Sequence, residues 1–506
     1  MKNRKIIELN DLAHIVSQLQ QENKRVVLSH GVFDLLHIGH IRHFDAAKKL
    51  GDVLVTTITP DKYVNKGPHR PAFEEMLRAE SVAALDSVDY VAINRWPTAV
   101  QTIKFLKPNI YTKGMDYANP EEDVTGGITL EREAIEDVGG ELKFTDEITF
   151  SSSNLLNRFF SVFSKDASEY IHSFSKQYRA DNIINYIEQM KSLKVLIVGE
   201  AIIDEYHYGQ SIGKSGKESM IALKYLNKEQ FAGGSLAIAN HVANFCNNVD
   251  LFTVLGEIDT QEEFINRHLN KKITRLFHYK KDSPTIIKRR FLEKSTFRKL
   301  LEFYIFNDTK PTSEQSKEMH VHLKKILPRY DVVIVADFGH GMFDEAIIKL
   351  LAEKAKFIGI NTQSNAGNMG YNTISKYPRA HYICIDEPEA RLDSKDREGE
   401  LEPIIETLSK KMSCDKITIT RGIKGCLVYS PGGFEHIPAF SGKVLDSMGA
   451  GDAFLSITTP LVSIGAPMEV VGFIGNAVGA MAVTIIGNKE PVDKVSLVKY
   501  ISSIMK

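Results

Sequence analysis

Surplus charge is missing from this sequence. Its 506 residues carry 63 Lys and Arg against 64 Asp and Glu, a formal net charge of −1. A nucleic-acid coat and a polybasic membrane anchor both need an excess of positive charge, so neither partner is expected. Cysteine is scarce as well. Cys246, Cys384, Cys414 and Cys426 show no CxxC spacing, which argues against a disulfide scaffold or structural zinc and for a reducing, cytoplasmic home. No apolar run makes a convincing bilayer span. The longest, Val470–Ile486, is short and is interrupted by Asn476 and three glycines; it reads as a buried helix. The opening residues are polar and mixed, without the apolar segment of a secretory signal.

What is present is ordinary globular material: 43% hydrophobic residues, over a length that accommodates about two to four domains. Two segments open alike, with a short apolar strand running into a glycine turn: VVLSHGVFDLLHIGH from Val26 and KVLIVGEAIIDEY from Lys194. Strand-like and helix-like stretches alternate after each, which implies two α/β units with mainly parallel sheets. Strands are expected at Val26–Ser29, Asp52–Thr59, Tyr90–Ile93 and Ile110–Thr112 in the first unit. In the second they are expected at Leu193–Gly199, Val249–Leu255, Val332–Ala336, Phe357–Ile360, Tyr382–Ile385 and Lys416–Thr420. Between the units, Ile183, Ile187 and Met190 recur at helical spacing and predict connecting helices.

In HGVFDLLHIGH, His37 and His40 stand three apart at a helix start and share a face. Gly39 lets a phosphate approach the backbone, and the helix N-terminus adds free N–H groups. Two imidazoles there suit charge building on a nucleoside triphosphate during in-line attack. The alternative is two surface histidines after a turn. With Gly31 and Phe33, this peptide resembles the HxGH nucleotidyltransferase superfamily, and within it the cytidylyltransferase-like group, over roughly residues 24–160. TPDKYVNKGPHRP (Thr59–Pro71), Arg78, KPNIYTKGMDY (Lys107–Tyr117) and ITFSSSNLLNRF (Ile148–Phe159) agree with it. The resemblance implies that Gly31, Phe33, Lys113, Ser151, Ser152 and Ser153 lie by the nucleotide phosphates; the serines also read as a simple helix cap. HIGH is shared with class I aminoacyl-tRNA synthetases. KMSCD (Lys411–Asp415) is a poor second signature, however, because it lies far away, before a strand of the second unit.

DSMGAGDAF (Asp446–Phe454) is the strongest signal. The small residues Gly449, Ala450 and Gly451 let backbone amides converge on developing negative charge, and Asp452 follows as a base for an attacking hydroxyl. The alternative is close helix packing. The peptide resembles the second signature of the ribokinase (PfkB) family, with a likeness over about residues 193–500. By that resemblance, Gly233 and Gly234 of AGGSLAIAN lie against a sugar. Asp204 of IIDEYHYG binds its hydroxyls, and Asp337 of ADFGHGMF ends a strand beside it. Glu389 of DEPEA organises Mg2+ through water. Thr420, Gly422 and Gly425 of TRGIKG hold ATP phosphates, and Asn476 lies on a helix flanking adenine. GQSIGKS (Gly209–Ser215) is one residue short of a Walker A loop and reads as lid, with Lys214 and Lys217 solvated or touching a substrate phosphate.

The expected architecture is α/β. A Rossmann-like cytidylyltransferase-like domain (1–160) leads through a helical connector (161–190) to a ribokinase-like domain with a small β lid (191–506). Both halves together resemble the bifunctional ADP-heptose synthase family, in reversed domain order. The resemblance implies a sugar (phosphate) kinase using ATP and Mg2+. It also implies a nucleotidyltransferase using ATP or CTP, making an activated sugar for a surface polysaccharide. Departures affect the sugar side: Ala237, Glu200, Asn361-Thr362-Gln363 and Asp386 replace the usual residues. They keep open a CTP-dependent transferase for a polyol phosphate, with the kinase half as its supplier or as a sensor without turnover. The related kinases often pair through their lids, which implies a homodimer.

Overall fold

The structure is a computed structural model and describes residues 5–64, 70–115, 127–145, 163–442 and 444–505. The chain divides into two compact units, residues 1–181 with 495–506, and residues 182–494.

In the first unit, five strands form a parallel sheet in the order β3-β2-β1-β4-β5. They are β1 (Val26–Gly31), β2 (Val53–Ile58), β3 (Tyr90–Ile93), β4 (Ile110–Gly114) and β5 (Glu141–Thr145). Val26 and Leu28 of β1 face one apolar cluster with Leu9, Leu12 and Ile103, while Val27 faces another with Phe44, Leu54 and Val82. Burial of both faces explains why β1, β2 and β3 can be read from apolar stretches, whereas the edge strand β5, ELKFT, is half exposed. Chain order reverses between β1 and β4. That leaves a crevice at the strands' C-terminal ends, where an open α/β sheet takes its ligands. The loop after β1 ends on His37, and His40 follows in the first turn of the next helix, Ile38–Lys48.

The last helix, Lys494–Ile504, joins this first unit from Val495 onward. It buries Leu497, Val498, Tyr500, Ile501 and Ile504. Such a return from the far end of the chain leaves no trace in local periodicity.

The second unit has a nine-stranded sheet in the order β10-β9-β6-β13-β14-β15-β16-β17-β18. Its strands are β6 (Lys194–Gly199), β9 (Asn248–Ile258), β10 (Ile273–Pro284), β13 (Val332–Asp337), β14 (Ile358–Thr362), β15 (Tyr382–Asp386), β16 (Ile417–Thr420), β17 (Cys426–Ser430) and β18 (Gly433–Ile437). All pair in parallel except the last two. A second sheet orders β12-β11-β7-β8, from β7 (Ala201–Lys214), β8 (Ile221–Gly234), β11 (Ile286–Glu293) and β12 (Arg298–Ile305). GQSIGKS therefore lies at the end of a lid strand and not in a phosphate loop. The helix Met468–Ala482 accounts for most of the apolar run and, like the helix Ala450–Ser463 before it, is almost wholly buried. Among the described residues no helix is long and apolar enough to cross a membrane.

Candidate functional sites

In the first unit the loop after β1 is tightly fixed. Phe33 adopts φ +50, and its ring fills the space above Gly31, where a Cβ would meet it at 2.9 Å. The same ring packs edge-on to His40 at 5.4 Å and against Phe44 at 5.0 Å. Asp34 accepts N–H bonds from Ala72 (2.7 Å) and Phe73 (3.2 Å) and an ion pair from buried Arg70 (3.3 Å). Arg78, fully buried, donates to Phe73, Val32 and Thr59 carbonyls and to Asp61. It is a staple for the loops, not a ligand group.

His37 caps the helix Ile38–Lys48: its Nδ1 accepts from the Gly39 amide at 3.2 Å. That bond places the ring proton on Nε2, which is sealed from solvent without a partner among the described residues. The His37 and His40 rings stack at 3.9 Å between centroids. Burial lowers the His37 pKa, so the ring is neutral at neutral pH and offers an N–H rather than a charge. Positive charge comes from Lys113, which pairs with Glu131 at 3.1 Å and lies over the Tyr111 ring.

Three groups near this cluster were assigned no role from the sequence. His43 is bonded to Ser29 and Thr145, both at 2.7 Å; burial and then Lys113 push its pKa to about 4. His30 is bonded to Thr57 and Thr59 and is pushed to about 3 by burial, then by Lys113, then by Lys499 of the last helix. Lys499 is thus a second ammonium acting on the histidine cluster, contributed by the C-terminal end of the chain. Ser151, Ser152 and Ser153 lie outside the described residues.

In the second unit a cleft of about 1430 Å³ runs along the C-terminal edge of β14, β15 and β16. Thr420, Gly422, Gly425, Gly449, Ala450, Gly451, Asp452, Asn476 and Glu389 all line it, as does Asp386. Gly449 caps the helix Ala450–Ser463 at φ +78, where a Cβ would strike Asn488 at 2.0 Å; a Cβ on Gly451 would meet only open space. The preceding turn is anchored by Asp446, which accepts from Tyr206 (2.7 Å), Lys299 (2.7 Å) and the Gly487 amide (2.9 Å). Asp446 belongs to the same peptide as Asp452, but only the fold shows its anchoring role.

Asp452 sits in the first turn of that helix, 8% exposed. Burial, then the Asp204 charge, raise its pKa to about 7, against the pull of Lys288. Such a carboxylate is matched to taking a proton near neutrality. Asp386 and Glu389 cap the helix Glu387–Ser394 reciprocally, at 2.8 and 2.9 Å. Burial and the Asp386 charge push Glu389 up to about 8. Asn361 adds a buried Oδ1 without a partner among the described residues. Asp386 and Glu389, two adjacent carboxylates lining the cleft, are the residues that could hold Mg2+ there. That ion keeps waters and phosphate oxygens and takes one or two protein carboxylates.

Asp204 lies at the junction of the two sheets. Its carboxylate is bonded to Arg290 at 2.5 Å, and a Cβ on Gly233 would stand 2.1 Å from its Oδ2. Gly233 is therefore small because Asp204 occupies the space, and Gly234, at φ +56, turns the chain into the helix Ser235–Ala243. Asp337 is 1% exposed and accepts from Tyr377 (2.7 Å) and Lys376 (2.5 Å). Its carboxylate holds the strand end together. Glu200 accepts the amides of Phe338, His340 and Met342 and so fixes the next loop.

The comparisons with known proteins follow this division. Residues 28–184 match the cytidylyltransferase-like family and residues 192–494 the pfkB family carbohydrate kinases. Curated relatives include the bifunctional protein HldE of Citrifermentans bemidjiense, 40% identical over 141 residues, 28% of each chain. The protein of the same name from Campylobacter jejuni is 46% identical over 101 residues, 20% of this chain and 22% of that one. These matches lie in the N-terminal part, and the chain spans under a third of such relatives' length. Among solved structures, phosphofructokinase-2 of Escherichia coli with substrates and products covers 62% of this chain and all of its own, with TM-score 0.51 and 10% identity. A second structure of that enzyme, with potassium, gives 0.50 and 12%, over 61% of this chain and 99% of its own. That likeness shows the fold of the second unit. The chain belongs to the pfkB family of carbohydrate kinases and carries a cytidylyltransferase-like domain ahead of the kinase domain.

Proposed function

We propose that the protein is a bifunctional transferase that builds a nucleotide-activated sugar. In the kinase unit Asp452 takes the proton of an acceptor hydroxyl. The oxygen bonds to the γ-phosphorus of ATP, the bond to the β-phosphate oxygen breaks, and ADP leaves. The amides of Gly449–Gly451 offset the charge that builds; Asp386 and Glu389 would hold Mg2+, which would supply further positive charge to the phosphates. In the transferase unit the sugar 1-phosphate attacks the α-phosphorus of ATP or CTP and pyrophosphate leaves. The His37 and His40 imidazoles with Lys113 hold the triphosphate, Ser151–Ser153 assist, and no covalent intermediate is needed. The product is an NDP-sugar such as ADP-heptose, destined for a surface polysaccharide. The observation that carries the reading is Asp452, buried at a helix start whose glycine amides open onto a nucleotide-sized cleft. Sugars and sugar phosphates screened against ATP, CTP and GTP, with ADP and pyrophosphate read separately, test it. Both products are expected.

A second reading has one observation in its favour: Arg290 already occupies the Asp204 carboxylate. In this reading the kinase half is a substrate supplier or a sensor without turnover, beside a CTP-dependent transferase for a polyol phosphate. Pyrophosphate release from CTP with no ADP across the panel would select the sensor. In the kinase reading, Gly233→Ala displaces Asp204. It is expected to raise KM for the acceptor at least about tenfold, with KM for ATP unchanged.

Four free, buried thiols suit a reducing cytoplasm. A homodimer through the lid is proposed from the apolar surface of the β12-β11-β7-β8 sheet. There Tyr225 and Phe303 (60% and 54% exposed) flank His207 and Phe291 in one row of ring contacts.

A further inference from the structure

In the first unit, the helix Gly127–Asp137 buries Ile128, Ala134 and Ile135. The last two join the apolar cluster that contains Tyr111 of β4. Glu131 shares that face at helical spacing and is 8% exposed. A carboxylate at such a position costs stability unless it is paired. Glu131 is held twice by β4: its Oε2 lies 3.1 Å from the Lys113 ammonium and accepts from the Tyr111 hydroxyl at 3.1 Å. Tyr111 and Lys113 stand two apart on the strand and so share a face. Burial keeps the Tyr111 hydroxyl protonated, which makes it a fixed donor that orients the carboxylate.

Lys113 also belongs to the crevice at the strand ends. β4 pairs with β1 as far as Thr112, opposite Ser29, and Lys113 is the next residue, beside the point where chain order reverses. Its charge reaches His30 and His43, lowering both rings after burial has done so. Those histidines are neutral, so the ammonium supplies positive charge that they do not. A triphosphate in the crevice and Glu131 are therefore alternative anions for one cation. The lysine and glutamate side chains are only 15% and 10% exposed, so solvent screens their attraction poorly and the contest between the two anions carries weight.

We propose that Glu131 is a positioning residue for Lys113 and its resident counter-ion: it holds the ammonium in the empty site, yields part of it to the incoming triphosphate and draws it back as pyrophosphate leaves. Affinity for polyphosphate is then held below what the site could reach, and release of the product is favoured. The proposal rests on the transferase reading of the first unit, yet anion binding tests it apart from turnover. The competing role is purely structural, with Glu131 only fastening β4 to the helix.

The experiment uses the full-length protein, its Glu131→Gln, Glu131→Asp and Lys113→Met variants, and the double variant Glu131→Gln with Lys113→Met. Binding of inorganic pyrophosphate is measured by calorimetry, with Lys113→Met supplying the background of the kinase unit; nucleotide KM and kcat are read from NDP-sugar formation. Glu131→Gln keeps an acceptor for Tyr111 and removes the charge. It is expected to bind pyrophosphate roughly fivefold or more tightly and to lower both nucleotide KM and kcat by roughly threefold, because product leaves slowly. Glu131→Asp, whose carboxylate stands back by one methylene, shows a smaller gain, and the double variant gains nothing over Lys113→Met. Tightened pyrophosphate binding with no nucleotide turnover supports the counter-ion role and removes the transferase reading alone. Unchanged or weaker pyrophosphate binding in Glu131→Gln, with a cooperative melting transition, overturns the proposal and leaves Glu131 structural. So does an equal gain in the Lys113→Met background, or no pyrophosphate binding above that background in any variant. Where Glu131→Gln does not fold, Glu131→Asp decides: tighter binding than wild type supports the proposal, and equal or weaker binding overturns it.

Discussion

Asp452→Asn is expected to lower ADP formation by roughly three orders of magnitude and, above pH 7, to raise the melting temperature of the same protein. Both follow from one placement. The carboxyl is 8% exposed at a helix start, and burial followed by the Asp204 charge lifts its pKa to about 7, well above the ordinary aspartate range. In the unfolded chain it ionises near its ordinary value, so the folded state binds the extra proton. Below about pH 4 both states are protonated and Asp452 costs nothing. The cost grows as pH rises and is complete above about pH 7. Roughly three pH units at ~1.36 kcal/mol each give an upper bound on the order of 4 kcal/mol. An amide of the same shape escapes that cost, so the melting temperature should rise by several degrees at pH 8 and by nothing near pH 4. The rate has the opposite dependence: only the ionised carboxylate accepts a proton, so kcat/KM in the wild type should climb through about pH 7 and level off. Calorimetry at two pH values and an ADP-release profile check the two halves. An Asn variant that keeps activity within tenfold would remove Asp452 from the chemistry.

An acid at a glycine-rich helix start was legible in the peptide DSMGAGDAF, because small residues and Asp452 stood together; its burial and its stability cost were not, since Asp204 and Lys288 lie far off in sequence. The alternation of strands and helices was legible for a related reason. Strands buried on both faces, such as β1, β2 and β13, open on apolar stretches, VVL, VLV and VVIVA. The lid was not resolved strand by strand. β11, IIKRRFLE, looks like a solvated strand because it carries Lys288, Arg289 and Arg290 in a row. Its two-residue alternation instead turns Lys288 and Arg290 inward, where they are 6% and 2% exposed. Charge on a strand signals solvent only when no carboxylate waits on the buried face, and Asp204 lies far away in sequence. Asp337 shows the converse. Its strand-end position was readable, but the Tyr377 and Lys376 that engage its carboxylate follow some forty residues later. Lys499 is the extreme case, separated from His30 by nearly the whole chain.

His37→Asn is expected to reduce pyrophosphate release by roughly 10²- to 10³-fold while leaving folding and ADP release unchanged. The side chain does two jobs, and this substitution separates them. As N-cap, Nδ1 accepts the Gly39 amide; asparagine is among the best replacements for that role, so the helix Ile38–Lys48 should lose well under ~1 kcal/mol. As ligand group, Nε2 carries the ring proton on the side away from the cap, buried and without a partner among the described residues, a position that the shorter amide does not reach. The lost bond is made to charge that develops on the triphosphate, in a site where burial keeps the empty imidazole neutral. Its removal should therefore fall mainly on kcat, with a smaller effect on KM for the nucleotide. His37→Ala adds loss of the cap and should also lower the melting temperature, so the difference between the two variants measures capping apart from chemistry. Retention of pyrophosphate release within threefold in His37→Asn, with the fold intact, would mean that the stacked imidazoles do not hold the triphosphate.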